Sequence, residues 1–400
     1  MAGVVEITAG VGLGPHASEE DAIKGSGSGA PSGFGVYVHV PFCRHRCDYC
    51  AFATYTDRDH LMARYVDACV AQLHRAAEAG ELSAATSVFF GGGTPSRLPA
   101  ADLCRILDAI PLAGGPRAPG AEVTVECNPE DATAERFAAY RAAGVTRISL
   151  GVQSTVPHVL AGLGRRHDPE VAFRAAALVA GSGFDSWNLD LIFGGAGEDD
   201  ADWARSLSDL LSLPHPPPHL SAYALTVEPG TPLAADPGRH PDDDVQAARY
   251  ELADRRLTDA GYRWEEISNW ALPGHGCAHN RLYWDQGDYL GVGSAAHSHR
   301  AGRRWWNLRT PDRYVAAVEA DRSVVAGEER LTAGQRVFEQ LSLSLRTPAG
   351  VPAEALDGLN ELAGEGLVDV TDDRAVLTVR GRLLANAVTA RLAAPVSCRP

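Results

Sequence analysis

The sequence is short of positive charge, of cysteine and of long apolar runs, and each shortage closes off a class of function. Thirty-six Lys and Arg stand against 51 Asp and Glu, a formal net charge of −15. A nonspecific nucleic-acid binder needs the opposite balance, because neutralising phosphates supplies its affinity. Eight cysteines in 400 residues are too sparse for a disulfide scaffold, so the chain reads as cytoplasmic, in a reducing compartment. No apolar run approaches the roughly 20 residues that cross a bilayer, so no transmembrane segment is expected. The first residues include Glu6, His16, Glu19, Glu20 and Asp21 rather than a basic segment followed by an apolar core, so they do not read as a secretory signal. With 45% hydrophobic and 22% charged residues, the composition is that of a globular protein with one large domain and one or two smaller ones.

Residues 1–33 are rich in Gly, Ser and Ala and end in a Gly-Ser run. They carry too little apolar surface to fold and read as a disordered leader. After them, short β-branched or aromatic runs recur at 36–40, 87–90, 122–126, 146–150, 187–192 and 220–225. Their near-continuous hydrophobicity is that of buried parallel strands. Amphipathic stretches lie between them: 59–79, a helix opened by Pro99, one capped at Asp131 or Thr133 and stopped by Gly144, then 168–180 and 199–213. Alternating β and α units imply a parallel sheet with right-handed crossovers. Six units rather than eight imply an α/β fold, a partial (β/α)6 TIM-like barrel over 34–270, with a doubly wound sheet as the alternative. Residues 242–260 read as a helix and 262–268 as one strand. Residues 271–330 read as an irregular segment rich in aromatics and His. The last stretch, 331–400, has two helices, two short strands and a final helix, a small C-terminal α+β domain of winged-helix-like order. Asp369, Asp372 and Asp373 make its wing acidic, which argues against DNA.

Chemistry concentrates where the first strand ends. Cys43, Cys47 and Cys50 fall within eight residues just past Pro41. Thiolates at this spacing can converge on an iron–sulfur cluster. Zinc sites usually close with four ligands in two separated pairs. A disulfide with a spare thiol, or three buried thiols, are the other readings. Functional side chains of a parallel barrel gather at the C-terminal ends of its strands. The later strand ends carry Gly91-Gly92-Gly93-Thr94, Glu126, Gln153, Asp190 and Tyr223. A triple glycine after a buried strand allows close approach of a ligand to the backbone. It is not a nucleotide P-loop, since no Gly-Lys-Ser/Thr follows. Glu126 alone also reads as a surface charge, and Asp190 as a cap or ion-pair partner. Together on one rim they suit ribose hydroxyls.

These motifs, in this order, resemble the radical S-adenosylmethionine (SAM) superfamily, within the branch of oxygen-independent coproporphyrinogen oxidases and HemW-type heme chaperones. The resemblance covers about 34–345. It implies a [4Fe-4S] cluster on Cys43, Cys47 and Cys50, with one iron left open to chelate SAM. It implies SAM contacts at Tyr37, Tyr49, Gly92, Gly93, Thr94, Glu126, Gln153, Arg165, Asp190 and Ala224. An electron donor to the cluster is implied as well.

The two branches part at residue 52. The oxidases carry a fourth cysteine two positions after the third, and here that position is Phe52. Downstream, Cys277-Ala-His279-Asn-Arg-Leu-Tyr283-Trp284 resembles the HNxxYW motif that the chaperones link to heme. His279 offers an imidazole for axial ligation, Cys277 a thiolate, and Tyr283 and Trp284 flat apolar faces. Core aromatics and a hydrogen-bonded histidine are the structural alternative. The resemblance thus implies a chaperone that binds heme and passes it to acceptor proteins, soluble or membrane-associated. Coproporphyrinogen III oxidation is the alternative, and a radical SAM reaction on another substrate the third. Whether the chain is an enzyme is left open by the sequence.

Overall fold

The computed structural model describes residues 33–112 and 120–392. The expected leader lies outside them apart from Gly33. Six strands run parallel in chain order: β1 (Phe34–Val40), β2 (Ser87–Gly92), β3 (Glu122–Cys127), β4 (Arg147–Gln153), β5 (Ser186–Phe193) and β6 (His219–Ala224). Helices α1 (Met62–Glu78), α2 (Ala100–Asp108), α3 (Ala134–Ala143), α4 (Pro157–Gly162), α5 (Pro169–Gly181) and α6 (Asp200–Leu211) make the crossovers. Their ends follow local chemistry. Thr133 caps α3 by accepting from the Arg136 amide, and Gly144 ends it at φ 99°. Asp199 and Asp202 form a reciprocal capping box at α6. β1 and β6 do not pair with each other, so the barrel is incomplete, as expected.

The strands are two-faced. Val36, Val38 and Val40 of β1, Val123 and Val125 of β3, and Leu189, Leu191 and Phe193 of β5 all pack outward into one core with the helices. Side chains alternate along a strand, so the other face carries Tyr37 and His39, Ser87 and Phe89, Thr124 and Glu126, Ser149, Asn188 and Asp190, and Ser221 and Tyr223. Ordinary barrels fill this interior with branched aliphatics. Here it is a polar lumen, and the near-continuous hydrophobicity expected of the strands is corrected to alternation.

The sheet extends past the barrel on both sides. After α7 (Asp243–Asp259), residues expected as one strand form a hairpin, β7 (Arg263–Glu266) and β8 (Asn269–Ala271), antiparallel to β6. The stretch expected to be irregular is also ordered. It holds α8 (Ala278–Trp284), β9 (Asp288–Val292), β10 (His297–Arg300), β11 (Arg303–Asn307), α9 (Pro311–Glu319) and β12 (Val325–Arg330). β9 pairs parallel with β1, and β10 to β12 follow antiparallel. Charge pairs rather than apolar alternation hold the outer edge. Arg304 faces Glu329 at 3.2 Å and Arg303 reaches Glu328 at 2.7 Å. That is why a hydrophobic pattern did not reveal these strands.

The C-terminal unit comprises α10 (Ala333–Ser344), β13 (Val351–Pro352), α11 (Leu359–Gly364), β14 (Val368–Thr371), β15 (Arg374–Leu377), α12 (Val379–Leu383) and α13 (Ala385–Thr389). Its three-stranded antiparallel sheet covers a separate small core around Leu345, Val351 and Leu377. Arg382 docks it to the barrel, pairing with Asp254 at 2.7 Å and lying 3.8 Å over the Trp264 ring. No helix among the described residues is long and apolar enough to cross a membrane.

One buried ion pair fixes the loop above β5. Glu198 accepts from the Gly194 amide at 2.6 Å and from Arg249 at 2.8 Å, with both side chains shielded from solvent. Removing the cation strands a buried carboxylate. Arg249→Met should therefore cost about 3–5 kcal/mol, read as a shift in the urea midpoint.

Candidate functional site

The cysteine loop leaves β1 at Pro41 and is tied back at once. The Tyr55 amide donates to Pro41 O at 2.7 Å and the Cys43 amide to Tyr55 O at 3.1 Å. A tight turn joins the Cys50 amide to Cys47 O at 3.2 Å. The seven cysteines among the described residues are all free, so the disulfide alternative is set aside. Cys43 is buried, and Cys47 and Cys50 are half-buried.

The glycine loop after β2 packs directly under this loop. The Gly93 amide donates to Val40 O at 2.8 Å and the Thr94 amide to Phe42 O at 2.9 Å. A Cβ on Gly93 would lie 2.8 Å from Val40 O, 3.0 Å from Phe42 O and 3.1 Å from Cys43 Sγ. Gly92 sits at φ 107°, its missing Cβ replaced by the His39 ring. The triple glycine thus lets two loops touch, besides leaving room for a ligand. Two donors reach the sulfurs. Thr94 Oγ1 is 3.4 Å from Cys43 Sγ, and Arg165 Nη1 donates to Cys47 Sγ at 3.5 Å. Arg165 is held by Asn128 Oδ1 at 3.0 Å and Gly151 O at 2.8 Å.

His39 was missed by the motif reading. Its Nε2 lies 3.0 Å from Ala53 O, which can only accept, so Nε2 carries the proton. Burial lowers this imidazole to about 4, so it is neutral, and Nδ1 accepts from the Tyr37 hydroxyl at 3.2 Å. Tyr37, His39 and the loop beyond Cys50 are thereby one connected unit. The signal was present as a histidine inside the apolar lead-in strand.

Glu126 and Asp190 share the lumen face, close enough to interact electrostatically. Asp190 accepts from Ser149 at 3.0 Å and Asn188 at 2.7 Å. Burial first, and Asp190 second, push the Glu126 carboxyl up to about 8. Gln153 has φ 69° at a β4–β5 register shift, a strained position that turns its side chain back over Gly151. Tyr49 and Tyr223 both pack against a small apolar cluster that includes Val159, Leu163 and Leu225. Ala224 is exposed at the end of β6.

The cluster fits this setting. Among the described residues, no three His, Cys, Asp or Glu side chains converge as for a single metal ion. A cluster makes no such demand, since each thiolate binds a different iron. Burial raises the Cys43 thiol to about 11 and raises Cys50 as well, so metal would displace their protons. A cationic, hydroxyl-bearing ligand also fits the lumen mouth. Two carboxylates, Glu126 and Asp190, feel each other's charge there, and Thr124 Oγ1 on the lumen face has no partner.

The motif at 277–284 lies at the other end of the barrel. α8 closes the floor, with Glu122 of β3 accepting from the Ala278 and His279 amides at 3.0 and 3.1 Å. His279 is fully buried. Its Nδ1 is 2.9 Å from Ser87 Oγ, its Nε2 is 2.9 Å from the Tyr283 hydroxyl, and its ring stacks on Phe89. Burial lowers its pKa to about 3. Both nitrogens are thus engaged within the protein, and the expected open imidazole is not offered in this arrangement. Cys277, Asn280 and Trp284 instead line a cavity of about 260 Å³ outside the floor, shared with Glu266 and the loop at Thr347.

The radical SAM superfamily profile matches residues 37–210. The heme chaperone HemW of Mycobacterium tuberculosis is 44% identical over 371 residues, covering 90% of this chain and 94% of that protein. The chain belongs to the HemW family of radical SAM proteins. The Escherichia coli heme chaperone HemW is 40% identical over 264 residues, 66% of this chain and 69% of that one. The solved structure of E. coli coproporphyrinogen III oxidase HemN superposes with a TM-score of 0.76 at 24% identity, over 90% of this chain and 89% of that one. That likeness concerns the fold. Membership in the radical SAM superfamily implies a [4Fe-4S] cluster and SAM.

Two outcomes follow from the geometry. Gly93→Ala drives a methyl into backbone oxygens that cannot yield separately. Iron and sulfide bound after anaerobic reconstitution should fall by at least half, while the far-UV circular dichroism is retained. Glu126→Gln tests the raised carboxyl. The unfolded chain releases this proton near 4.5 and the folded chain near 8, so the group lowers ligand-free stability as pH rises through that window. The Gln variant should lack that component of the decline, seen in denaturation midpoints across the window.

Proposed function

We propose that this chain is a heme chaperone that carries a SAM-bound [4Fe-4S] cluster and hands heme to acceptor proteins. The carrying observation is the pairing of a complete cluster setting with Phe52 at the fourth position. Cys43, Cys47 and Cys50 would hold the cluster, Thr94 and Arg165 would donate to its sulfurs, and Gly92 and Gly93 would face the methionine end of SAM. Glu126, Gln153 and Asp190 would meet the cationic and hydroxyl groups of SAM, with Tyr37, Tyr49 and Ala224 at its edges. The chemistry such a group supplies when bound is one-electron cleavage of a carbon–sulfur bond. Arg165 orients, the glycines admit, and the lumen excludes bulk water. Phe52 is 44% exposed. It supplies no fourth thiol of the kind the oxidases carry, which supports the chaperone over coproporphyrinogen turnover. A reducing, cytoplasmic setting suits the free thiols.

For heme, the motif's outer side is the better contact. Trp284, Asn280 and Cys277 reach the cavity beyond the floor, whereas His279 and Tyr283 are committed to Ser87 and to each other. His279 becomes an iron ligand only if α8 leaves the floor. Heme acceptors, soluble or membrane-associated, would then meet the protein on this side.

Titration with heme should give a saturable change in the visible spectrum. His279→Ala should lower stability by about 2–4 kcal/mol, through a cavity and two lost buried hydrogen bonds. A wild type that takes up no heme, or that converts coproporphyrinogen III to protoporphyrinogen when reduced with SAM, would sink the chaperone reading.

A further inference from the structure

The loop at 163–168, between α4 and α5, grips β4 where that strand leaves its regular register. Arg165 Nη2 donates to Gly151 O at 2.8 Å, and His167 Nε2 lies 3.0 Å from Val152 O. A carbonyl only accepts, so Nε2 carries the His167 proton. Val152 O takes a second donor, the Ser154 amide, at 2.9 Å. That bond spans Gln153 alone, at φ 69°, and so closes a γ-turn of the rare, strained kind. Val152 is also the residue that the β4–β5 pairing skips. The far side of the turn is fastened as well. Ser154 Oγ is 3.2 Å from Ser206 Oγ, and Thr155 Oγ1 donates to Asp209 at 2.7 Å.

The turn decides where the Gln153 amide goes. A Cβ built on Gly151 would lie 2.8 Å from Gln153 Nε2, 3.5 Å from Arg165 Nη2 and 3.6 Å from Asn128 Oδ1, so three polar groups converge over that glycine. Arg165 and Asn128 are bonded to each other, whereas no hydrogen bond to a described residue holds the Gln153 amide. Its aim is therefore set by its backbone. His167 is buried, and its Nδ1 has no partner among the described residues. A buried, unpaired acceptor costs stability, and an apolar side chain would fill the same space without that cost. What distinguishes the histidine is the carbonyl that its other nitrogen holds.

We propose that His167 is a positioning residue for SAM: by donating to Val152 O it braces the strained turn that presents the Gln153 amide to the ligand beside Arg165. A turn held before the ligand arrives spares binding the cost of forming it. The inference rests on the assignment of Gln153 and Arg165 to the SAM site.

The test uses the full chain with its cluster reconstituted anaerobically, and SAM itself as probe. Affinity is read by equilibrium dialysis, and the electron paramagnetic resonance spectrum of the dithionite-reduced cluster is recorded with and without SAM. His167→Leu should weaken SAM binding about three- to tenfold, the range that one hydrogen bond spans. Its iron and sulfide content and its SAM-free spectrum should match the wild type, and the SAM-induced spectral change should need correspondingly more SAM. Gln153→Ala should weaken binding at least as much. The double variant should bind SAM no more weakly than Gln153→Ala alone, because His167 acts through Gln153. His167→Gln, whose amide reaches the Nε2 position, should restore most of the affinity. His167→Asn, whose shorter amide does not, should behave as His167→Leu and replaces it if the leucine variant does not fold. Losses that add in the double variant, wild-type affinity in His167→Leu and His167→Asn, or a His167→Gln loss equal to theirs overturns the proposal. A wild type that keeps its cluster but binds no SAM, or a Gln153→Ala variant of wild-type affinity, fails the site assignment beneath it. Binding that Gln153→Ala weakens and the His167 variants do not fails the role of His167 alone.

Discussion

The structure depends on one constraint, the division of each barrel strand into an apolar face and a polar face. The outward valines and leucines supply the packing that makes the sheet and its helices one body. The inward positions contribute hydroxyls, carboxylates and rings. A lumen of that kind contributes little stability, since a buried hydrogen bond returns only slightly more than the desolvation of its polar groups costs. It is therefore closed at the floor and narrowed at the mouth. α8 seals the floor through Glu122, Ser87 and His279. The cysteine and glycine loops crowd the mouth, where Gly93 permits a contact that a single methyl would break.

How far the sequence revealed this differs by element. The six βα units, the cap at Thr133 and the cysteine loop were all legible, because each is written in local chemistry. The two-faced strands were legible in principle. Alternation was read as continuity because the inward residues include Tyr37, Phe89 and glycines, which score as apolar or neutral. The four strands between 288 and 330 were not legible from hydrophobicity. β12 is Val-Ala-Gly-Glu-Glu-Arg and nearly all exposed, so its place is set by cross-strand charge with Arg303 and Arg304. The partner of a charge pair distant in sequence cannot be seen in a local window.

The site shows the same split. Residues carried by strand ends arrive where barrel geometry puts them, which is why Glu126 and Asp190 come within electrostatic reach although 64 residues separate them in the numbering of the chain. His39 was overlooked because a histidine in an apolar strand has no motif of its own. Its role is visible only through its partners, Ala53 O on one nitrogen and Tyr37 on the other.

The two ends of the lumen are linked through β1 and β2, and this bears on how the 277–284 motif and the cysteine loop come to share one chain. Phe89 stacks on His279 at the floor and lies 6.4 Å from the Tyr37 ring. Tyr37 bonds His39, and His39 holds the loop that follows Cys50 and fills the space over Gly92. A displacement of α8 from the floor would free the face of Phe89 and both nitrogens of His279. The gap so opened lies two rings, Phe89 and Tyr37, away from His39, which braces the cysteine loop. Packed rings respond to such a gap by shifting between discrete arrangements rather than by gradual deformation. The physical route between floor and mouth is thus short, contiguous and made of side chains that the lumen would not otherwise need to be aromatic.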